Sequence, residues 1–210
     1  RTIVTSVSGS APESRGLSMK VGIIGAGAAG LAAAFTLGKA GHQATVYEGE
    51  IEDLAGTWTA RIYANFDAET DQLNAVYGDG SNSMLITSTN GFYQNAFGGS
   101  TSTSINPALY SAFPSLVYDS WVTIGLTDQV DNAMGHIGID WTDFEAGDDI
   151  STDNGSWFAT PDDPQVLAGA ELRVMVGQFT LLGADSTISG VLNLQGKQGD
   201  FVTFQARGQS

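Results

Sequence analysis

Alternating apolar and polar positions run through most of this chain, and the longest such run is Leu116–Leu126. Its even positions are apolar apart from Ser120, and its odd positions mix Val117 and Trp121 with polar residues. A period of two, rich in β-branched and aromatic residues, is typical of a β-strand. We therefore predict a long strand here, inside an antiparallel sheet.

Similar runs lie on both sides of this segment and predict about ten strands after Thr57. The predicted strands are Trp58–Phe66, Gln72–Tyr77, Met84–Ser88, Gly91–Phe97, Leu116–Leu126, His136–Trp141, Ser156–Thr160, Glu171–Leu182, Thr187–Gln195 and Phe201–Ala206. Turn-forming residues separate them at the spacing of a two-sheet domain. The pattern predicts a mainly β fold, an antiparallel β-sandwich or jelly roll, over residues 54–210.

The N-terminal part has a different pattern, which predicts a short βαβ-like appendage over residues 19–53. Lys20–Ile24 and Gln43–Tyr47 are predicted strands, and Leu31–Lys39 is a predicted alanine-rich helix. Residues 1–18 are polar and aperiodic, as in a tail or linker. The apolar run that follows Met19 could also serve as a signal peptide, but its glycines make it a poor one, and they dilute it too much for a membrane span.

Three glycines, Gly25, Gly27 and Gly30, follow the first predicted strand at the spacing of a dinucleotide-binding fingerprint. Such glycines make the tight turn, let the backbone approach a pyrophosphate and allow close helix–strand packing. Glu48 ends the second strand, where an acid would hold a ribose hydroxyl. The segment resembles the N-terminus of flavin-dependent amine oxidases and related FAD/NAD(P)-binding oxidoreductases. The resemblance implies that these four residues hold FAD or NAD(P).

That resemblance ends at Glu50 by our reading of the residues. A doubly wound domain needs long amphipathic helices to cover its sheet, and the pattern predicts none after this point. An oxidoreductase, or a fragment of one, is therefore the alternative hypothesis. The leading hypothesis is a non-catalytic chain, for which no cofactor is expected.

The charge is unevenly distributed, with a net value of −15 over the 210 residues. Residues 1–50 carry four basic and three acidic groups, whereas residues 51–210 carry four basic and twenty acidic groups. An acidic surface repels phosphates, which argues against nucleic acid as a partner. Cysteine is absent from the sequence, so disulfides and thiolate chemistry are excluded.

Four phrases of the β region resemble a module of large secreted proteins from marine and aquatic microorganisms: Trp58–Ala64, Gln72–Gly78, Gly91–Asn95 and Asp119–Gly125. The resemblance implies an extracellular or cell-surface location and no residue-level activity. It leads to the hypothesis of a structural or adhesive module, part of a filament or surface array. Its expected partners are further copies, other extracellular proteins or polysaccharide.

Clustered carboxylates are the main candidates for chemistry, because Ca²⁺ takes carboxylate and carbonyl ligands on loops. The candidate calcium ligands are Asp67, Glu69, Asp71, Asp140, Asp143, Glu145, Asp148, Asp149 and Asp153. The first three fail the helix–loop–helix pattern, since Gln72 stands where that loop needs glycine. The second group also leaves a glycosidase pair open, although a solvated acidic loop is the simpler interpretation.

The remaining candidates are weaker. A Ser-His-Asp system would depend on His136, and we predict that this histidine is incidental. The aromatic residues could form a platform for sugars, as in a carbohydrate-binding module, but their alternating positions favour core packing. They are Trp58, Trp121, Trp141, Trp157, Tyr63, Tyr93 and Phe92. Asn154 begins a glycosylation sequon that a secreting eukaryote could use.

Overall fold

The computed structural model describes residues 19–24, 43–47, 54, 56–198 and 202–209. In this part of the chain, two β-sheets pack face to face. The strands are β1 (Met19–Ile24), β2 (Gln43–Tyr47), β3 (Trp58–Asn65), β4 (Gln72–Gly78), β5 (Met84–Ser88), β6 (Trp121–Val122), β7 (Gly135–Ile137), β8 (Ile150–Thr152), β9 (Gly155–Phe158), β10 (Arg173–Leu181), β11 (Ile188–Gln198) and β12 (Val202–Gln209). The predicted mainly β, antiparallel sandwich is confirmed.

Helical structure in the described residues is confined to short segments. One α-helix, α1, spans Thr142–Glu145. Short 3-10 helices span Ser102–Ser104, Pro107–Leu109, Pro114–Tyr118, Pro164–Val166 and Gly169–Glu171. Within the ranges described, we find no helix of the length and apolar character that crossing a membrane requires.

The first sheet has the strand order β2-β1-β3-β10-β6. Its strands pair antiparallel except for β1 and β2, which pair parallel with Ile24 opposite Tyr47. The predicted βαβ-like unit thus joins the sandwich as the edge of a sheet, because β1 pairs along its whole length with β3. The helix predicted between β1 and β2 lies outside the described residues, as does the predicted tail, residues 1–18.

The second sheet is organised around β11, its longest strand. β4 pairs with the C-terminal half of β11 and β5 with its N-terminal half, both antiparallel. β9 pairs with β4, and β8 pairs with β5. At the edges, β7 pairs with β9 and β12 pairs with β11. Asn74 in β4 is a β-bulge, since Ala75 and Leu73 oppose the consecutive residues Gln195 and Gly196 of β11.

The main core lies between the sheets, and alternation explains its composition. Inward positions of β3 such as Ala60 and Ala64 are fully buried, as are Val76 of β4 and Leu194 of β11. Each large apolar side chain buried in this way contributes about 1.5–3 kcal/mol. A second cluster of Ile105, Leu116, Trp121 and Met175 covers the outer face of the first sheet. The strand β10 is therefore buried on both faces.

The tryptophans are mostly core residues, as their alternating positions predicted. Trp58, Trp121 and Trp157 are at most 3% exposed. The indole Nε1 of Trp58 donates to the carbonyl of Ser186, and that of Trp157 donates to the carbonyl of Thr123. A sugar platform built on these three rings is excluded by their burial.

The predicted strand Leu116–Leu126 is wrong for most of its length. Its first three residues belong to the 3-10 helix Pro114–Tyr118, and only Trp121–Val122 pair as a strand. Gly125 has φ +81°, which ends the extended conformation. The segment passes between the two apolar clusters, so burial on both sides produces a strand-like pattern without a long ladder.

Two other predicted strands are also longer than the structure shows. Gly91–Phe97 contains a single bridge, from Phe92 to Leu181, and continues as a loop. His136–Trp141 forms a strand only at β7, and the rest is a turn that ends in a short helix. Conversely, the acidic segment from Asp140 to Asp153, which we interpreted as a solvated loop, contains both α1 and β8.

Candidate functional site

Asp119 is the most unusual ionisable group in the described residues, because its side chain is fully buried. Its Oδ1 accepts a hydrogen bond from the backbone N–H of Asn95 at 2.6 Å, and its Oδ2 accepts one from Gly99 at 3.0 Å. Burial raises the pKa of Asp119 to about 7, against the lowering effect of the N–H donors. A carboxyl group with this pKa carries a proton in the folded protein under mildly acidic conditions.

Glu145 of α1 lies close enough to raise the pKa of Asp119 further by charge repulsion. Its Oε1 accepts a hydrogen bond from the hydroxyl of Ser100. Two neighbouring carboxyl groups are the pairing that glycosidases use. Here, however, both oxygens of Asp119 face loop N–H groups, and a Cβ on Gly98 would lie 1.7 Å from Oδ2. Backbone closes the carboxyl off from any substrate, so Asp119 is a structural group.

Three more buried polar side chains hold loops in the same way. Gln165 accepts from the N–H of Ala133 and donates to the carbonyl of Ile124 at 2.7 Å. Gln178 donates to the carbonyls of Val117 and Asp119, both at 2.9 Å.

Asn193 of β11 is the fourth such residue. It donates to the carbonyls of Tyr77 and Asn82 and accepts from the N–H of Gly208. We call Asp119, Gln165, Gln178 and Asn193 the loop clamps, since each joins backbone groups that are distant in sequence. Fully satisfied buried networks of this kind make a structure rigid.

His136 is exposed on the edge strand β7, and its Nδ1 accepts a hydrogen bond from the indole Nε1 of Trp141 at 3.2 Å. The two rings meet edge to face with centroids 5.6 Å apart. Because this nitrogen is engaged by an indole, the geometry gives His136 no base role in a hydrolytic triad.

The candidate calcium ligands are spread over two regions. Asp67 and Glu69 are exposed in the turn before β4, and Asp71 is buried with Oδ2 accepting from the N–H of Ala68. The members of the second region are all exposed: Asp140, Asp143, Glu145, Asp148, Asp149 and Asp153. Among the residues with described positions, no three acidic or histidine side chains come close enough to hold a metal ion.

Some of these acids have other partners. Asp140 accepts from the N–H of Thr142, and bonds to the hydroxyl and N–H of that residue hold the pKa of Asp140 below its ordinary value. Asp143, Asp148 and Asp149 line an open groove of about 730 Å³ beside the loop 88–92. Asp149 also accepts from the N–H of Ser88 at 3.3 Å. Asp140 and Asp149 thus accept hydrogen bonds from backbone N–H groups.

The fingerprint residues Gly25, Gly27, Gly30 and Glu48 lie outside the described residues. The strands next to them are described, and their parallel pairing brings Ile24 and Tyr47 into register. In a dinucleotide-binding unit the two strands run in this way, with the glycine loop after the first and the acid after the second. On the other side of β1, however, β3 runs antiparallel, where a doubly wound sheet has a parallel strand. The described residues therefore fit only the first half of such a domain.

Comparison with known proteins yields one match. The family model of the NAD(P)-binding Rossmann-like domain matches residues 23–71, which is less than a quarter of the chain. The match supports the predicted fingerprint and extends past Glu50, where we expected the resemblance to end, through β3. Neither the curated proteins nor the solved structures contain a match to this chain.

Sequence reasoning did not single out the loop clamps. Their partners lie 15–116 residues away along the chain, and no local pattern reports such contacts. One signal was available for Asp119, which is the only charged residue in the run Leu116–Leu126. A charged residue at such a position needs buried hydrogen-bond donors.

Proposed function

We propose that this chain is a non-catalytic β-sandwich module with a structural or adhesive role outside the cell, where copies assemble into a filament or surface array. The observation that carries the proposal is the set of loop clamps. These four buried polar side chains fix loops, whereas catalytic loops commonly need polar groups that face a cleft. A rigid scaffold with fixed loops suits a role in mechanical support or attachment.

The surface supports the same proposal. Four of the exposed large apolar side chains belong to strands of the second sheet: Leu85, Ile137, Phe158 and Val191. Of these, Leu85 and Val191 lie directly opposite each other on β5 and β11, and neighbouring exposed apolar side chains favour contact with other molecules. The many carboxylates elsewhere keep an abundant module soluble and repel anionic partners such as nucleic acid.

Nucleotide binding by the N-terminal unit is the second candidate function. Two observations favour it: the family match at residues 23–71 and the parallel register of β1 with β2. Gly25, Gly27, Gly30 and Glu48 would then hold the phosphates and ribose of FAD or NAD(P). The antiparallel strand β3 argues against a complete Rossmann domain, so this candidate is a binding unit or a fragment of an oxidoreductase.

Cofactor titration and sedimentation of the purified full chain separate the two candidates. We expect no saturable binding of FAD, NADH or NADPH, followed by fluorescence, and a sedimentation coefficient that increases with protein concentration. Stoichiometric binding of a dinucleotide that Gly27→Val abolishes would replace the leading proposal with the second one. A monomer at every concentration would contradict the assembly role.

A further inference from the structure

A groove crosses the outer face of the second sheet, over the β-bulge at Asn74 of β4. Its volume is about 360 Å³, within the range of small-molecule sites. The strand order places β4 between β9 and β11, so the walls of the groove rise from strands roughly 10 Å apart. A bulge twists a strand and redirects its side chains, which explains why the groove forms at this point.

The floor and walls of the groove differ in chemistry. The floor consists of small or buried residues: Ala75, Ala159 and Gly196. On the side of β9, the wall includes the ring of Phe158, which is 38% exposed, and Pro161, together with Ser156 and Thr160.

The opposite wall is polar. It carries Gln195 and Lys197 of β11 together with Thr203 of β12. Asn74 also lines the groove, with its Nδ2 donating to Oε1 of Gln72 at 3.5 Å. The groove thus combines one exposed aromatic ring with amide and hydroxyl groups.

Charge distinguishes this groove from the larger one beside the loop 88–92. The larger groove is lined by three aspartates, whereas none of the residues that line the smaller groove is acidic. This absence is notable in a chain with 23 carboxylate side chains. The smaller groove has no acids to bind a cation. Its basic residue, Lys197, is a single charge in a chain whose net charge of −15 repels a polyanion.

We propose that this groove binds a neutral oligosaccharide. The apolar face of a sugar ring would lie against the ring of Phe158. Its hydroxyl groups would bind the side-chain oxygen of Asn74 and the side-chain N–H₂ of Gln195, because Gln72 and Gln205 bind the other ends of these two amides. Sugars present this combination of a C–H face and a hydroxyl edge. The inference deepens the adhesive role proposed above and rests on it, since it names the chemistry to which the module attaches.

The test uses affinity electrophoresis of the full chain in gels that contain neutral polysaccharides: dextran, laminarin, hydroxyethyl cellulose or galactomannan. We expect retardation by at least one of them, and binding roughly tenfold or more weaker in Phe158→Ala, because truncating a central aromatic contact usually has this effect. Phe97→Ala is the matched control, as Phe97 is 49% exposed and does not line the groove. Melting temperatures report whether each variant folds.

A second variant, Gln195→Ala, tests the polar wall if Phe158→Ala fails to fold, and it should also weaken binding. Full retardation of a folded Phe158→Ala or Gln195→Ala chain would overturn the inference, as would the absence of retardation in all four gels. Neither result bears on self-association, which sedimentation measures separately. Dinucleotide binding with no polysaccharide binding would instead refute the proposed function itself.

Discussion

Asn in place of Asp119 is the most informative single change, because the two side chains have the same shape and only the carboxyl group titrates. The pKa of Asp119 is about 7 in the folded protein, against an ordinary value of 3.8. Between pH 3.8 and about 7, the folded state therefore keeps a proton that the unfolded state has lost. Stability from this group is fully present below pH 3.8 and is lost as the pH rises through 7.

The expected size follows from the pKa difference. A difference of about three pH units corresponds to roughly 4 kcal/mol, at about 1.36 kcal/mol per unit. Asp119→Asn removes this dependence. It also places an amide N–H₂ group against one of the two N–H donors, from Asn95 or Gly99, at a cost of about 1–3 kcal/mol. The variant should be less stable than the wild type near pH 4.5, and the deficit should shrink or reverse by pH 8.5.

The free energy of unfolding can be measured in urea with tryptophan fluorescence as the signal, since Trp58, Trp121 and Trp157 are buried in the folded state. The quantity to compare is the free energy of unfolding of wild type minus variant at each pH, which cancels the titration of the other acids. A difference that stays constant from pH 4.5 to 8.5 would refute the burial argument for Asp119.

Two further predictions concern the clamps and the acidic loops. Asn193→Ala leaves the carbonyls of Tyr77 and Asn82 and the N–H of Gly208 without their side-chain partner. We expect the free energy of unfolding, measured in urea, to fall by about 2–4 kcal/mol. The control Asn90→Ala should change it by less than about 0.5 kcal/mol, because the bond of Asn90 to Asp185 is exposed. Millimolar Ca²⁺ or EDTA should leave the melting temperature unchanged, because no three acidic or histidine side chains come together in the described residues. A calcium-dependent rise would show that other ligands of the chain complete a site.

Period-two alternation predicted the strands that pair along a ladder. It identified β3, β4, β5, β10 and β11 to within a few residues. It failed at Leu116–Leu126, because a segment buried on both sides satisfies the same pattern without pairing. Residues 119–124 lie between the two apolar clusters and are held by side chains such as Ser120, whose hydroxyl accepts from the N–H of Thr180.

The candidate site was less predictable than the fold. The acids at 140–153 were visible as a cluster in sequence, but sequence proximity does not make their oxygens converge. The groove on the second sheet brings together residues of β4, β9, β11 and β12, which are separated by up to 129 positions. Its position depends on the bulge at Asn74, and a one-residue irregularity in a ladder leaves no trace in the alternation.

Amide hydrogen exchange of the full chain, read by mass spectrometry, tests the central claim that the loops are structural. If the loop clamps fix them, the peptides covering 93–99, 117–125 and 131–135 should exchange about as slowly as those from β3 and β10, since opening them breaks buried hydrogen bonds. Exchange in these peptides within seconds, while the strands stay protected, would mean that the loops open freely like the lid of an active site, and would contradict the account.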